Sequence, residues 1–241
     1  MLQLWPTTDE PTTDEPVDLV ALYRTDHSPW LRLNFVSSLD GAGTVHGSSA
    51  GLSGPDDKRV FGVLRMLCDA LVVGAGTLRD EGYRALRLDA GRRDWRLANG
   101  LGEFPTLVIV SGRCDLDPAH PALADAPVRP IVVTRTGATP GKLADAADIL
   151  ECGEGQVDLT AALAHLHERG LRQILSEGGP LLFGSLTAAG LVDELCLTVS
   201  PLLAGPGPTR ITAGPPIPEP QGLTLRHALL AEGQLLLRYC R

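Results

Sequence analysis

The residues best suited to chemistry gather at three polar or glycine-rich strand ends. Gln173-Ile-Leu-Ser-Glu177-Gly178-Gly179-Pro180 puts two glycines after an apolar run and a proline where a helix would begin, so free backbone amides converge on one point. That is an anion cradle. The helix predicted behind it, Leu181 to Ala189, carries Leu182, Phe183, Gly184 and Ser185 at its start. A carboxylate beside a phosphate is costly, so Glu177 points instead at a neutral or cationic part of another ligand, the substrate. A second candidate is Val72-Val73-Gly74-Ala75-Gly76-Thr77, where the glycines admit a ligand and Thr77 can bind phosphate or cap a turn. Arg79 stands where a dinucleotide fingerprint needs Gly or Ala, which weakens that reading. The third is Asn34 to Gly41, where polar residues end a strand; taken alone, Asp40-Gly41 reads as a turn. Ser111 with Arg113, and Thr134 with Arg135, end two successive strands, and such pairs suit an adenosine 2′-phosphate through forked, charge-assisted donation.

These positions require strands that feed helices. Strands are predicted at Trp30 to Val36, Ala70 to Val73, Thr106 to Val110, Ile131 to Thr134, Arg172 to Ser176 and Leu195 to Val199. Ser53-Gly54-Pro55-Asp56-Asp57 announces a helix to Leu67, and a second runs from about Thr160 to Glu168. Val17 to Tyr23 suits a short helix. The alternation implies crossover units and a mainly parallel sheet of α/β class. Leu223 to Leu230 and Gln234 to Tyr239 flank a turn and suggest an antiparallel hairpin at the sheet's edge. Residues 79–103 read as a loop with six arginines, one or two of them candidates for a ligand phosphate, and Pro201 to Pro220 reads as a long ordered loop. Residues 6–16 repeat Pro-Thr-Thr-Asp-Glu, so we expect residues 1–16 to be a disordered acidic tail and 17–241 one domain.

Composition narrows the function. Of 241 residues, 44% are apolar, enough for a sizeable core, and no run suits a membrane span or an export signal, which implies the cytoplasm. A net charge of −8 without a basic, aromatic-studded stripe argues against nucleic acid as a partner. Five scattered cysteines and a His165/His167 step that splits across a helix argue against disulfides and against a metal site.

Three motifs in order, Ser38-Leu39-Asp40-Gly41, Asp69-Ala70 to Gly76-Thr77, and Glu177-Gly178-Gly179-Pro180 with Gly190-Leu-Val-Asp193-Glu194 and Ser200-Pro201, resemble the bacterial riboflavin-biosynthesis reductases over about residues 28 to 240. These 5-amino-6-(5-phosphoribosylamino)uracil reductases have a dihydrofolate-reductase-like fold. The resemblance implies a three-layer sandwich, a homodimer and hydride transfer from NADPH to C1′ of a ribosylaminopyrimidine. It implies cofactor contacts at Gly51, Thr77, Glu81, Ser111 and Gly179 to Ser185, substrate contacts at Ser49, Arg65 and Glu177, and Asp40 near the reacting sugar. Arg65 would meet the substrate phosphate. Departures are Ala42, where Lys or Arg is frequent, Gly51 in place of an aromatic, and Glu81 in place of aspartate. The deaminase signature H-x-E with P-C-x-x-C does not occur in these residues, which reads as a reductase domain standing alone. Alternatives are a paralogous reductase of another pterin- or pyrimidine-like substrate such as dihydrofolate, and a nucleotide-binding protein without catalysis.

Overall fold

The computed structural model describes residues 1–6, 17–217 and 219–241. In chain order its elements are β1 (Leu2–Trp5), α1 (Leu19–Tyr23), β2 (Trp30–Ser38), α2 (Pro55–Leu67), β3 (Ala70–Gly74), α3 (Ala75–Asp80), α4 (Ala90–Ala98), β4 (Thr106–Val110), α5 (Pro121–Ala124), β5 (Ile131–Thr134), α6 (Leu143–Ala146), β6 (Asp148–Glu151), α7 (Leu159–Glu168), β7 (Gln173–Gly178), α8 (Pro180–Ala188), β8 (Glu194–Ser200), β9 (Thr224–Ala231) and β10 (Gln234–Cys240). One sheet has the order β1-β9-β10-β8-β2-β7-β3-β4-β5-β6. Strands β8 to β6 in that order run parallel, and β10, β9 and β1 complete the other end by antiparallel pairing. No described helix is long and apolar enough to cross a membrane.

Alternation along buried strands makes the three layers. Leu71 and Val73 of β3 face Val60 and Leu64 of α2 in one core, while Ala70 and Val72 face Leu163, Leu166, Leu182 and Leu186 of α7 and α8 in the other. Helix α2 starts as expected, with Pro55 in its first turn and Asp56 and Asp57 at the positive end of its dipole.

Two sequence expectations are corrected. Leu2–Trp5 is not a tail: it pairs with β9 and extends the expected hairpin by one strand, while residues 7–16 lie outside the described residues. Residues 79–103 are not all loop, because α4 forms there without a broad apolar stripe. Asp89 caps it by accepting from the Arg92 amide, and the buried Arg96 guanidinium donates to the carbonyls of Met66, Cys68 and Gly102, tying α4 to the end of α2. Capping and tertiary hydrogen bonds replace the hydrophobic signal.

Asp193-Glu194 forms a structural knot. Asp193 accepts from the Leu31 amide at 2.8 Å. The fully buried Glu194 accepts from Arg32 Nε at 2.5 Å, Arg238 Nε at 2.9 Å and Trp30 Nε1 at 2.8 Å, joining β8 to β2 and β10. His227 of β9 lies near this knot, edge-on to Tyr23 at 4.7 Å. Burial first, and then the Arg238 charge, pushes its imidazole down to about 4. The fold therefore holds His227 neutral, whereas the unfolded chain protonates it near pH 6.5, so stability falls as pH drops from about 6.5 to 4. His227→Phe is expected to flatten that part of the stability profile, read from urea midpoints across pH; an unchanged slope would exclude His227 as its source.

Candidate functional site

The site begins with an irregularity. Along β3 and β7, Val72 pairs with Ser176 but Val73 pairs with Gly178, so Glu177 is an extra, bulged residue of β7. Bulges re-aim side chains and are frequent beside active sites. Gly178 follows at φ +79°, a conformation that favours glycine, and an added Cβ would lie 2.2 Å from Phe35 Cζ. The chain then turns into α8.

Glu177 meets partners from two other elements. Arg65, in the last turn of α2, donates from Nε to Oε1 at 2.7 Å and from Nη2 to Oε2 at 2.6 Å, a bidentate fork. Its guanidinium lies 4.0 Å from the centroid of the Phe61 ring, one turn back on α2. Tyr83 also donates its hydroxyl to Oε2. Burial first and then the Glu177 charge hold the Tyr83 phenol well above its ordinary value, so it remains a donor. Burial alone would lower the Arg65 pKa, but Glu177 outweighs it and the net direction is upward, which keeps Arg65 charged.

This triad lines a cavity of about 750 Å³ beyond the carboxyl ends of β2 and β7, within the usual range for ligand sites and on the sheet edge where open α/β folds bind ligands. A smaller cavity of about 160 Å³ opens at the amino ends, beside Trp30 and Gln173. The larger one gathers Ser49, Arg65, Thr77, Glu81, Glu177 and Gly179, all anticipated from sequence, with Pro180 and Leu181. Within it Ser49 and Glu81 are bonded to each other: Glu81 accepts from the Ser49 amide and from the hydroxyls of Ser48 and Ser49, each at 3.2 Å. On the other side the Gly179 amide donates to Thr77 Oγ1 at 2.8 Å, clasping the α3 turn to the start of α8.

Other anticipated residues lie elsewhere. Asp40 does not line the cavity. It accepts from the Ser38 hydroxyl and from the amides of Ala204 and Gly205, and these bonds, in that order, hold its carboxyl down at about 2. A carboxylate so engaged anchors a loop and has no proton to give. Gly51 ends a short 3-10 turn next to Ser49 and lies against Val45. Gly74 and Gly76 open α3 without lining the cavity, and a Cβ on Gly74 would meet the Gly178 carbonyl at 3.4 Å. Leu182 and Phe183 are buried in the core, and Ser185 donates to the Leu181 carbonyl. Gly184 allows close packing, since an added Cβ would sit 1.9 Å from the Ala213 carbonyl oxygen. Ser111, Arg113, Thr134 and Arg135 follow β4 or end β5, one and two strands beyond β3 on the same edge. Asp115 accepts from Arg113 at 3.0 Å and from Ser111 at 3.4 Å, while the buried Thr134 hydroxyl has no partner among the described residues.

Sequence reasoning missed Tyr83, Phe61, Lys58 and Arg210, which line the cavity. Of the six arginines in residues 79–103 only Arg84 does so; Arg79, Arg92 and Arg93 pair with carboxylates, Arg87 donates to the Asp125 carbonyl, and Arg96 is buried.

The RibD C-terminal domain family matches residues 29–234. The chain belongs to this family. It is 30% identical over 181 residues to the 2,5-diamino-6-ribosylamino-4(3H)-pyrimidinone 5′-phosphate reductase of Archaeoglobus fulgidus, covering 73% of this chain and 82% of that protein. Among solved structures it is similar to a pyrimidine reductase-like protein from Corynebacterium diphtheriae, at 27% identity and a TM-score of 0.79, over 88% of this chain and 91% of the other. Dihydrofolate reductase from Enterococcus faecalis shares the fold, with a TM-score of 0.51 at 15% identity over 88% of this chain and 96% of the other. The three layers and mixed sheet of this chain are thus dihydrofolate-reductase-like.

Proposed function

We propose that this RibD C-terminal domain is an NADPH-dependent reductase acting at C1′ of a 6-ribosylaminopyrimidine 5′-phosphate in riboflavin biosynthesis. The observation that carries the reading is the bulge at Glu177. It brings a polar triad and the N-terminus of α8 to the same cavity within three residues.

The residues at the α8 end fit a dinucleotide phosphate. The Gly179 amide is held by Thr77, Pro180 has no amide hydrogen, and the first-turn amides of Leu181 and Leu182 are without intrahelical partners. Bound NADPH would supply the hydride, which leaves the protein to hold and orient the substrate. Glu177 Oε2 already accepts from Arg65 and Tyr83, whereas Oε1 accepts only from Arg65 and keeps a lone pair for an N–H of the pyrimidine. Arg65 then orients Glu177. We also expect a cytoplasmic homodimer; a monomer mass by light scattering would overturn the dimer.

The decisive assay mixes enzyme and NADPH with 2,5-diamino-6-ribosylaminopyrimidinone 5′-phosphate or its uracil counterpart. Oxidation of NADPH with at least one is expected, and none with either overturns the reading. Thr77→Val removes the acceptor of the Gly179 amide and is expected to weaken NADPH about tenfold in a fluorescence titration. Equal affinity would mean that the clasp does not shape the cofactor site.

A further inference from the structure

The cavity of about 160 Å³ lies at the opposite edge of the sheet from the Glu177 bulge, where the amino ends of β2 and β7 meet the end of α4. Its walls are rich in indole for a chain so poor in aromatic residues. The sequence has three tryptophans, and two of them, Trp30 of β2 and Trp95 of α4, line this cavity, both partly buried. No tryptophan lines the larger cavity. Leu67, Leu101 and Ile174 add apolar wall, and the neutral amides of Asn99 and Gln173 complete it. The volume suits one six-membered ring, since cavities of about 150 Å³ take up benzene.

The charge around this cavity has one sign. Arg24 and Arg32 line it, and among the described residues no aspartate or glutamate does. Arg24 is exposed and makes no ion pair among the described residues. Arg32 is only 6% exposed. Its Nε and Nη2 are engaged by Glu194 and the Tyr23 carbonyl, but Nη1 has no hydrogen-bond partner among the described residues. Nη1 is also absent from the fully enclosed orphan atoms of the fold, so it reaches open space, and the open space that Arg32 lines is this cavity. The buried Tyr23 hydroxyl likewise has no partner among the described residues, and burial above all holds its phenol well above the ordinary value, so it stays a donor. Cys68 adds no charge, because burial pushes its thiol up to about 12 and Sγ donates to the Arg65 carbonyl at 3.5 Å. Behind the wall, Glu194 alone faces the two buried guanidinium groups of Arg32 and Arg238, which leaves one positive charge in excess. Buried charge without a counterpart is costly, and a bound anion would offset it.

We propose that this cavity is a second binding site, for a planar carboxylate with a single ring, whose ring lies against Trp30 and Trp95 and whose carboxylate meets Arg32 Nη1 and Arg24. Guanidinium and carboxylate form charge-assisted hydrogen bonds, and indoles offer large apolar area with little freedom to lose. The probes are benzoate and benzamide, nearly equal in shape but differing in charge, titrated into the full chain. The readout is the three indole N–H signals in NMR, assigned by replacing each tryptophan in turn with phenylalanine. Benzoate is expected to shift the Trp30 and Trp95 signals, to leave that of Trp5 on β1 in place, and to bind about tenfold more tightly than benzamide. Trp95→Ala, read at the Trp30 signal, should weaken benzoate about tenfold, and Arg24→Gln about threefold. Arg32→Lys keeps a cation for Glu194 but removes the free fork nitrogen, and should erase most of the preference for benzoate. Trp95 and Arg24 stand outside the Glu194 knot, so their variants decide the matter if Arg32→Lys does not fold. Benzoate that moves neither indole signal, that binds no better than benzamide, or that keeps full affinity in Trp95→Ala would overturn the proposal.

Discussion

Replacing Glu194 with alanine is expected to lower the unfolding free energy by about 3–5 kcal/mol, because it strands two buried guanidinium groups. Arg32 and Arg238 both rest on this one carboxylate and also donate to the carbonyls of Tyr23 and Leu22, so the loss should loosen α1 together with β2, β8 and β10. Removing all three charges, with Arg32→Met, Glu194→Leu and Arg238→Met, should recover much of the deficit, since the penalty comes from unpaired charge. The pH dependence has a definite sign. Burial raises the Glu194 pKa, but the attraction of Arg32 and then Arg238 outweighs it and holds the group at about 2. Its contribution is present above the ordinary carboxylate range near pH 4.3 and is lost as pH falls toward 2. Urea melts of wild type and the alanine variant should therefore converge in strong acid; a constant gap down to pH 2 would assign the effect to packing.

Glu177→Gln is expected to reduce kcat/KM for the pyrimidine substrate by about a hundredfold while changing NADPH affinity less than about threefold. The amide keeps the volume but drops the charge, so it cannot serve both donors of the Arg65 fork as a carboxylate does. Arg65 is then free to swing from the Phe61 ring, and the lone pair offered to the substrate loses its fixed direction. Equal loss of NADPH binding would show that Glu177 serves the cofactor side as well. Gly179→Val is not a clean counterpart on the cofactor side: any Cβ there would lie 2.5 Å from Thr77 Oγ1 and would disturb α3 too.

What was legible in the sequence was what local patterns determine. Leu107-Val-Ile-Val110 and Ile131-Val-Val are unbroken apolar, β-branched-rich runs bounded by Pro105 and Pro130, and β4 and β5 form with the expected bounds. The glycine-rich turn into α8 was legible because glycine, proline and helix start are neighbours in the chain. By contrast, β6 has only Ile149 and Leu150 between two acids, and α4 has few apolar residues among its arginines and depends on Arg96 reaching α2, so neither offers the apolar run that marks a core element. The same limit applied to the cavity. Glu177 and Thr77 announced themselves through adjacent glycines, but Tyr83 and Arg210 look like ordinary loop residues until the sheet brings distant segments together. Asp40-Gly41, read alone as a turn, is a turn; the resemblance that placed Asp40 near the sugar is not matched by its hydrogen bonds.

Strand β1 has a bearing on how the protein behaves in solution. Leu2 to Trp5 covers the outer side of β9, whose backbone amides and carbonyls would otherwise face solvent as an open row. An uncovered row of that kind invites pairing with another molecule. Shortening the chain to start at Val17 would leave the cavity's lining residues in place and uncover an eight-residue strand, so self-association would precede any loss of catalysis.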